Sequence, residues 1–201
     1  MVYRLNRCQA GRLVHMVTTQ VDGEPDGERE FRLIGGRYCL DLIATLGKRH
    51  ADAVERVPDE DTLMAWFVAA GVLPDAARSS PVEAGQLAAV VDLRETINRL
   101  VRATMAGAAL DPADVVTLNE AARGPDLAPQ LGMRGDSELS WHGHHPVDAA
   151  VATIARDAVT LLSGPRTERI KECARPECSL LFFDESQPGR RITAQCLSRC
   201  E

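Results

Sequence analysis

The chain has 201 residues, 45% of them hydrophobic and 26% charged, with a formal net charge of −6 at pH 7. That length holds one ordinary core plus a small module, and no stretch approaches the ~20 apolar residues that span a bilayer. The acidic balance is that of a soluble cytoplasmic protein and gives no global pull toward nucleic acid.

Aromatic residues are only 4% of the chain, so the core must be aliphatic and alanine-rich, which suits packed helices. Residues 1–30 carry no amphipathic period and end in a polar run, Val21 to Glu30. They read as a mobile extension, with Cys8 an exposed thiol and His15 a solvated imidazole. Arg4, Arg7 and Arg12 break up any apolar run there, so no signal peptide is evident.

Order is expected from Phe31. Phe31, Leu33 and Ile34 suggest a short extended segment, Gly35-Gly36 a turn, and Tyr38 to Leu46 a helix with apolar residues at 39, 42, 43 and 46. Asp59 is placed to cap a helix that carries Leu63, Trp66, Phe67 and Ala70 and stops near Gly71 and Pro74. The strongest helix spans Pro81 to Met105. Leu87, Val90, Val91, Leu93, Ile97, Leu100 and Val101 draw its apolar stripe, and Arg94, Glu95, Asn98, Arg99 and Arg102 read as a solvated face. Asp111-Pro112-Ala113-Asp114 then opens a helix to about Ala122.

From Gly124 to Pro146, glycine and proline punctuate two short runs, Leu127 to Leu131 and Ser137 to Trp141, which predicts a small β-hairpin. His142, His144 and His145 follow with no acid or cysteine at ligand spacing, so they read as a loop before a helix. That helix carries Val147, Val151, Ile154, Ala158, Leu161 and Leu162, and a last helical turn leads into Cys173.

The final segment carries chemistry. Cys173 and Cys178 form one close pair, Cys196 and Cys200 another, and Ser179 to Gln195 lie between them. Four thiolates in two pairs are what a closed tetrahedral structural zinc site needs. Such a site folds a module and does not hydrolyse anything. Two disulfides or unrelated thiols are the alternatives, and in a reducing compartment paired cysteines more often hold metal. The pairs enclose four and three residues, against two in the commonest knuckles. Asp184-Glu185 follows Leu180-Leu-Phe-Phe183 and reads as a turn cap. No catalytic motif is present, so the chain is expected not to be an enzyme.

Two blocks resemble a known family. Ile34-Gly-Gly-Arg-Tyr-Cys-Leu-Asp-Leu-Ile-Ala-Thr-Leu46 resembles the N-terminal signature of ABATE-domain proteins. Arg169-Ile-Lys-Glu-Cys-Ala-Arg-Pro-Glu-Cys-Ser-Leu-Leu-Phe-Phe-Asp-Glu-Ser186 with Arg190-Arg191 resembles their C-terminal CGNR-type zinc finger. The resemblance covers residues 31–201. It implies a bacterial, mostly helical body followed by a four-cysteine zinc-finger module in a DNA-binding transcription regulator, so with the hairpin read above the expected fold is mainly α with a small β-hairpin. The domains are then an extension (1–30), an ABATE-like body (31–165) and an altered or truncated CGNR-like finger (166–201). Carried over, the zinc ligands are Cys173, Cys178, Cys196 and Cys200. The chain departs from the pattern at Ala44, where the signature has asparagine, and after Cys200, where Gly-Asn-Arg and a basic helix are absent.

The functional expectation is a regulator whose helical body senses a small-molecule effector or binds a partner, with a finger that touches DNA. Arg190, Arg191 and Arg199 are the expected phosphate contacts. The alternative is a zinc-stapled protein-interaction or small-molecule-binding module without DNA binding. From Arg166 to Glu201 basic side chains outnumber acidic ones by one, which is too little for strong non-specific DNA binding. The long helices can bury their faces in one monomer or across a homodimer.

Overall fold

The computed structural model describes residues 30–125, 127–131, 133, 137–141 and 145–186. Its order is α1 (Tyr38–Ile43), β1 (Leu46–Gly47), β2 (Val54–Glu55), α2 (Glu60–Ala69), α3 (Gln86–Met105), α4 (Pro112–Ala122), β3 (Leu127–Leu131), β4 (Ser137–Trp141), α5 (Pro146–Leu162), β5 (Ile170–Glu172) and β6 (Leu181–Phe183). Single 3-10 turns lie at Asp75–Ala77 and Thr167–Arg169. The strands form three separate antiparallel pairs, β1 with β2, β3 with β4 and β5 with β6. The architecture is therefore mainly helical with small hairpins, and the body's hairpin pairs Leu127 with Trp141 and Leu131 with Ser137.

Local chemistry explains most boundaries. The Asp59 carboxylate accepts from the Thr62 backbone N–H at 2.8 Å and opens α2. Gly71, at φ 71°, follows the end of that helix. Asp111 accepts from the Ala113 N–H at 2.8 Å with Pro112 in the first turn, and α4 begins there. Two expected helices are shorter. α3 starts at Gln86, because Gly85 takes a left-handed φ of 88° and separates Pro81 and Val82 from the helix. α1 stops at Ile43, because Leu46 pairs with Glu55 and the Arg56 N–H is donated to the Thr45 carbonyl. Phe31 to Ile34 form no strand. The segment before Cys173 ends in the extended strand β5, after its 3-10 turn.

α1, α3, α4 and α5 pack on one another around a shared aliphatic core with α2. Leu40, Ile43, Trp66, Phe67, Ile97, Val101 and Ile154 are wholly or almost wholly buried in it. That core does not end with the helices: Ile170 of β5 and Leu181 of β6 belong to it, and Phe183 packs against it. The hairpin that carries the first cysteine pair is thus built into the helical body.

The solvated-face reading of α3 holds for the exposed Arg99 and is overturned at Arg94 and Asn98. Val90, Arg94, Ile97 and Val101 follow one another at helical spacing, so Arg94 lies inside the core-facing stripe and is only 3% exposed. A buried guanidinium must be paired. Arg94 donates from Nη1 to Glu55 Oε1 at 2.8 Å and to Thr45 Oγ1 at 3.0 Å, and from Nε to Glu95 Oε1 at 2.8 Å. Asn98, one turn on, is buried as well. Arg99 faces α4 and donates to both oxygens of Asp114, at 2.6 and 2.9 Å.

Leu181 is fully buried, so Leu181→Ala removes core contacts of the whole body. It is expected to cost about 2–5 kcal/mol. Helical circular dichroism should melt at a lower temperature in one transition. Loss confined to the hairpin, with helix melting unchanged, would contradict the shared core.

Candidate metal centre

The site is built on the β5–β6 hairpin. Ile170 pairs with Phe183 and Glu172 with Leu181. Above them the Cys173 N–H donates to the Leu180 carbonyl at 2.9 Å, extending the ladder by one step. The Cys178 N–H donates to the Arg175 carbonyl at 3.1 Å and closes a tight turn. The two cysteines therefore stand on either side of the hairpin tip. Cys173 is buried with Ala44 and Leu180, and Cys178 and Ile34 pack against the same small cluster. Neither forms a disulfide with another described cysteine.

Two thiols on one short turn are half of a tetrahedral thiolate set, and an apolar wall around them favours the metal-bound form over a solvated one. On those grounds the residues fit one side of a structural zinc site. Among the described residues no group of three or more His, Cys, Asp or Glu converges as a complete set. Cys196, Cys200, Arg190, Arg191 and Arg199 lie outside the described residues, as do Cys8, His15, His142 and His144. His145 precedes α5, with its Nδ1 3.0 Å from Glu83 Oε1, as expected of a loop residue. Asp184 Oδ1 accepts from the Ser186 N–H and hydroxyl at 2.9 and 2.6 Å, the turn cap expected of it.

The N-terminal glycine block meets this hairpin. The Phe183 N–H donates to the Gly35 carbonyl at 2.9 Å. The Gly35 N–H donates to Asp41 Oδ1 at 2.7 Å, a buried bond that folds the loop back onto α1. Gly36 takes φ 79°, and a Cβ on Gly35 would stand 2.9 Å from Leu40 Cβ. The double glycine is therefore a turn, as expected, and its purpose is to lay α1 against β6. α1 itself begins on α5: the Cys39 N–H donates to Asp157 Oδ2 at 3.0 Å, and Arg37 pairs with Asp157 at 2.8 Å. Burial raises the Cys39 thiol well above its ordinary range and Asp157 adds to the effect, so this cysteine stays protonated and inert.

Sequence reading missed the polar residues beneath the turn. Arg49, in the loop between β1 and β2, donates its backbone N–H to Ser179 Oγ at 3.0 Å. Its guanidinium grips Glu95 of α3 at 2.6 and 3.0 Å. Arg102 of α3 donates to both oxygens of Glu172 at 2.9 and 3.2 Å, and His50 Nε2 lies 2.9 Å from Glu172 Oε1. The available signal was Arg94, Asn98 and Arg102 at four-residue spacing, a row that starts inside the apolar stripe. That row cannot all face solvent.

An open groove of about 470 Å³ lies between α4 and α5 and is lined by Asn119, Arg123, Arg156 and Thr160 with Ala122 and Val159. Arg156 already donates to the Gly124 carbonyl at 2.7 Å. Among the described residues no helix is long and apolar enough to cross a membrane.

The sequence model of the ABATE family, whose description is "Putative stress-induced transcription regulator", matches residues 36–165, and the chain belongs to that family. A search of curated proteins finds no match.

Burial alone would raise the Glu95 carboxyl, but bonds and charge from Arg49 and Arg94 outweigh it and hold the group below its ordinary 4.5. A carboxylate depressed by folding stabilises fully above its unfolded value, and that stability drains as pH falls through the folded value. Wild-type unfolding free energy should therefore fall between about pH 6 and about pH 3. Glu95→Gln should be less stable at neutral pH and show a shallower acid slope in urea titrations. Equal slopes would contradict the assignment.

Proposed function

We propose that the chain is a non-enzymatic transcription regulator whose helical body carries a structural zinc finger closed by Cys173, Cys178, Cys196 and Cys200. Arg190, Arg191 and Arg199 supply phosphate contacts, and the body senses an effector or a partner. The observation that carries this reading is the pair Cys173 and Cys178, held on a hydrogen-bonded turn in one apolar cluster of a chain that belongs to the ABATE family. Zinc's part is to fix the finger's fold. The chain's own residues orient the thiols, shield them from water and present the arginines.

The second reading is a zinc-stapled interaction module that does not bind DNA. It is favoured by the nearly balanced charge from Arg166 onward.

Elemental analysis of protein purified without chelator should find about one zinc per chain, lost in Cys173→Ser/Cys178→Ser. Duplex DNA retention should then fall with salt, with a log–log slope of about −2 to −3 for three phosphate contacts. Zinc without salt-dependent retention supports the second reading, and absence of zinc overturns both.

A further inference from the structure

Two polar struts end one residue outside each cysteine of the turn. Glu172 immediately precedes Cys173, and Arg102 holds both its oxygens while His50 reaches one of them. Ser179 immediately follows Cys178, and its hydroxyl accepts from the Arg49 backbone N–H, whose own guanidinium is fixed on Glu95. Both struts start on α3, at positions 95 and 102, about two turns apart along one helix. The loop that carries Arg49 and His50 is itself tied down. Lys48 takes a left-handed φ of 50°, unusual for a side chain larger than glycine, and the Ala51 N–H donates back to its carbonyl at 2.9 Å. Arg94, gripping Glu55 at the loop's far end and Glu95 at its near side, completes the frame.

From this placement we infer that Arg49 and Arg102 are positioning residues for the cysteine turn. α3 holds the ends of the Cys173–Cys178 segment at a fixed separation, so the readiness of the two thiols to capture metal is linked to the folded state of the helical body. The physical reason is reciprocity: what the body does to the thiols' geometry, a metal on the thiols does to the body. Residues behind the ligands commonly change metal affinity 10–100-fold, and a bidentate guanidinium–carboxylate pair fixes direction as well as distance. The finger's first half is then a rigid ledge of the body, and a change of packing along α3 reaches the metal directly. This inference rests on the zinc reading for its use of metal, while the clamp itself is made by the chain's own groups.

The test compares Arg102→Met with Arg99→Met. Arg99 makes an equally bidentate pair, but with Asp114 of α4 and not with the hairpin. Both variants should lose a similar, small amount of thermal stability. In chelator, iodoacetamide alkylation followed by peptide mapping reads Cys173 and Cys178 separately. Arg102→Met should be alkylated several-fold faster at Cys173 than wild type, Arg99→Met at the wild-type rate, and Arg102→Lys in between. Competition with a chromophoric chelator should show zinc affinity about tenfold weaker in Arg102→Met only. Equal alkylation rates in Arg102→Met and Arg99→Met would overturn the clamp. A chain that takes up no zinc, yet shows the alkylation difference, would overturn the metal reading and leave the clamp standing.

Discussion

A single buried charge organises the polar half of this fold. Arg94 sits where the helical stripe of α3 demands an apolar residue, and the residue is 3% exposed. Leaving such a group unpaired costs several kcal/mol, so the neighbouring chain must supply acceptors. Glu55, Glu95 and Thr45 do so, from β2, from α3 itself and from the end of α1. The requirement pulls α1, the β1–β2 loop and α3 into one register. Thr45 shows how closely the parts are shared: its hydroxyl accepts from Arg94 and donates to the Leu42 carbonyl, finishing α1.

Once that register is set, the loop between β1 and β2 lies beside the C-terminal hairpin, with the Arg49 backbone N–H and the His50 ring aimed at it. The hairpin is held by three different kinds of interaction. Ile170 and Leu181 share the helical core. The Phe183 amide is bonded to Gly35, and Arg166 lies over the Phe183 ring, 5.6 Å from its centre. Glu172 and Ser179 are bonded to side chain and backbone from the body. Apolar burial supplies most of the stability and the polar bonds supply direction. The double glycine of the N-terminal block and the hairpin of the cysteine turn meet here.

The sequence made the capped and periodic elements legible. Asp59, Asp111 and Pro112 marked helix starts because their side chains act on backbone within a few residues, and α5 showed because its stripe is unbroken. The body's hairpin was legible from its punctuating glycines and prolines. Boundaries failed where a distant partner or a backbone conformation decided them: β2 ends α1, and the positive φ of Gly85 delays α3. The larger miss was the polar face of α3. Arg94 and Arg102 look like solvated residues in isolation, and only their carboxylate partners, 39 and 70 residues away in the chain, show otherwise. Of the candidate site, the Cys173–Cys178 turn was legible as a thiol pair. Its anchorage on α3 was not, because neither Ser179 nor Glu172 carries a motif.

The central claim is that the cysteine turn belongs to the cooperative unit of the helical body. Native-state amide hydrogen exchange tests it most directly, in metal-free protein, at the Cys173, Phe183 and Asp184 amides, which bond to Leu180, Gly35 and Arg169. The account predicts that these amides exchange with the same opening free energy as the centre of α3, around Ile97 to Val101. Exchange of the hairpin amides by a separate, low-energy opening while α3 stays protected would contradict it.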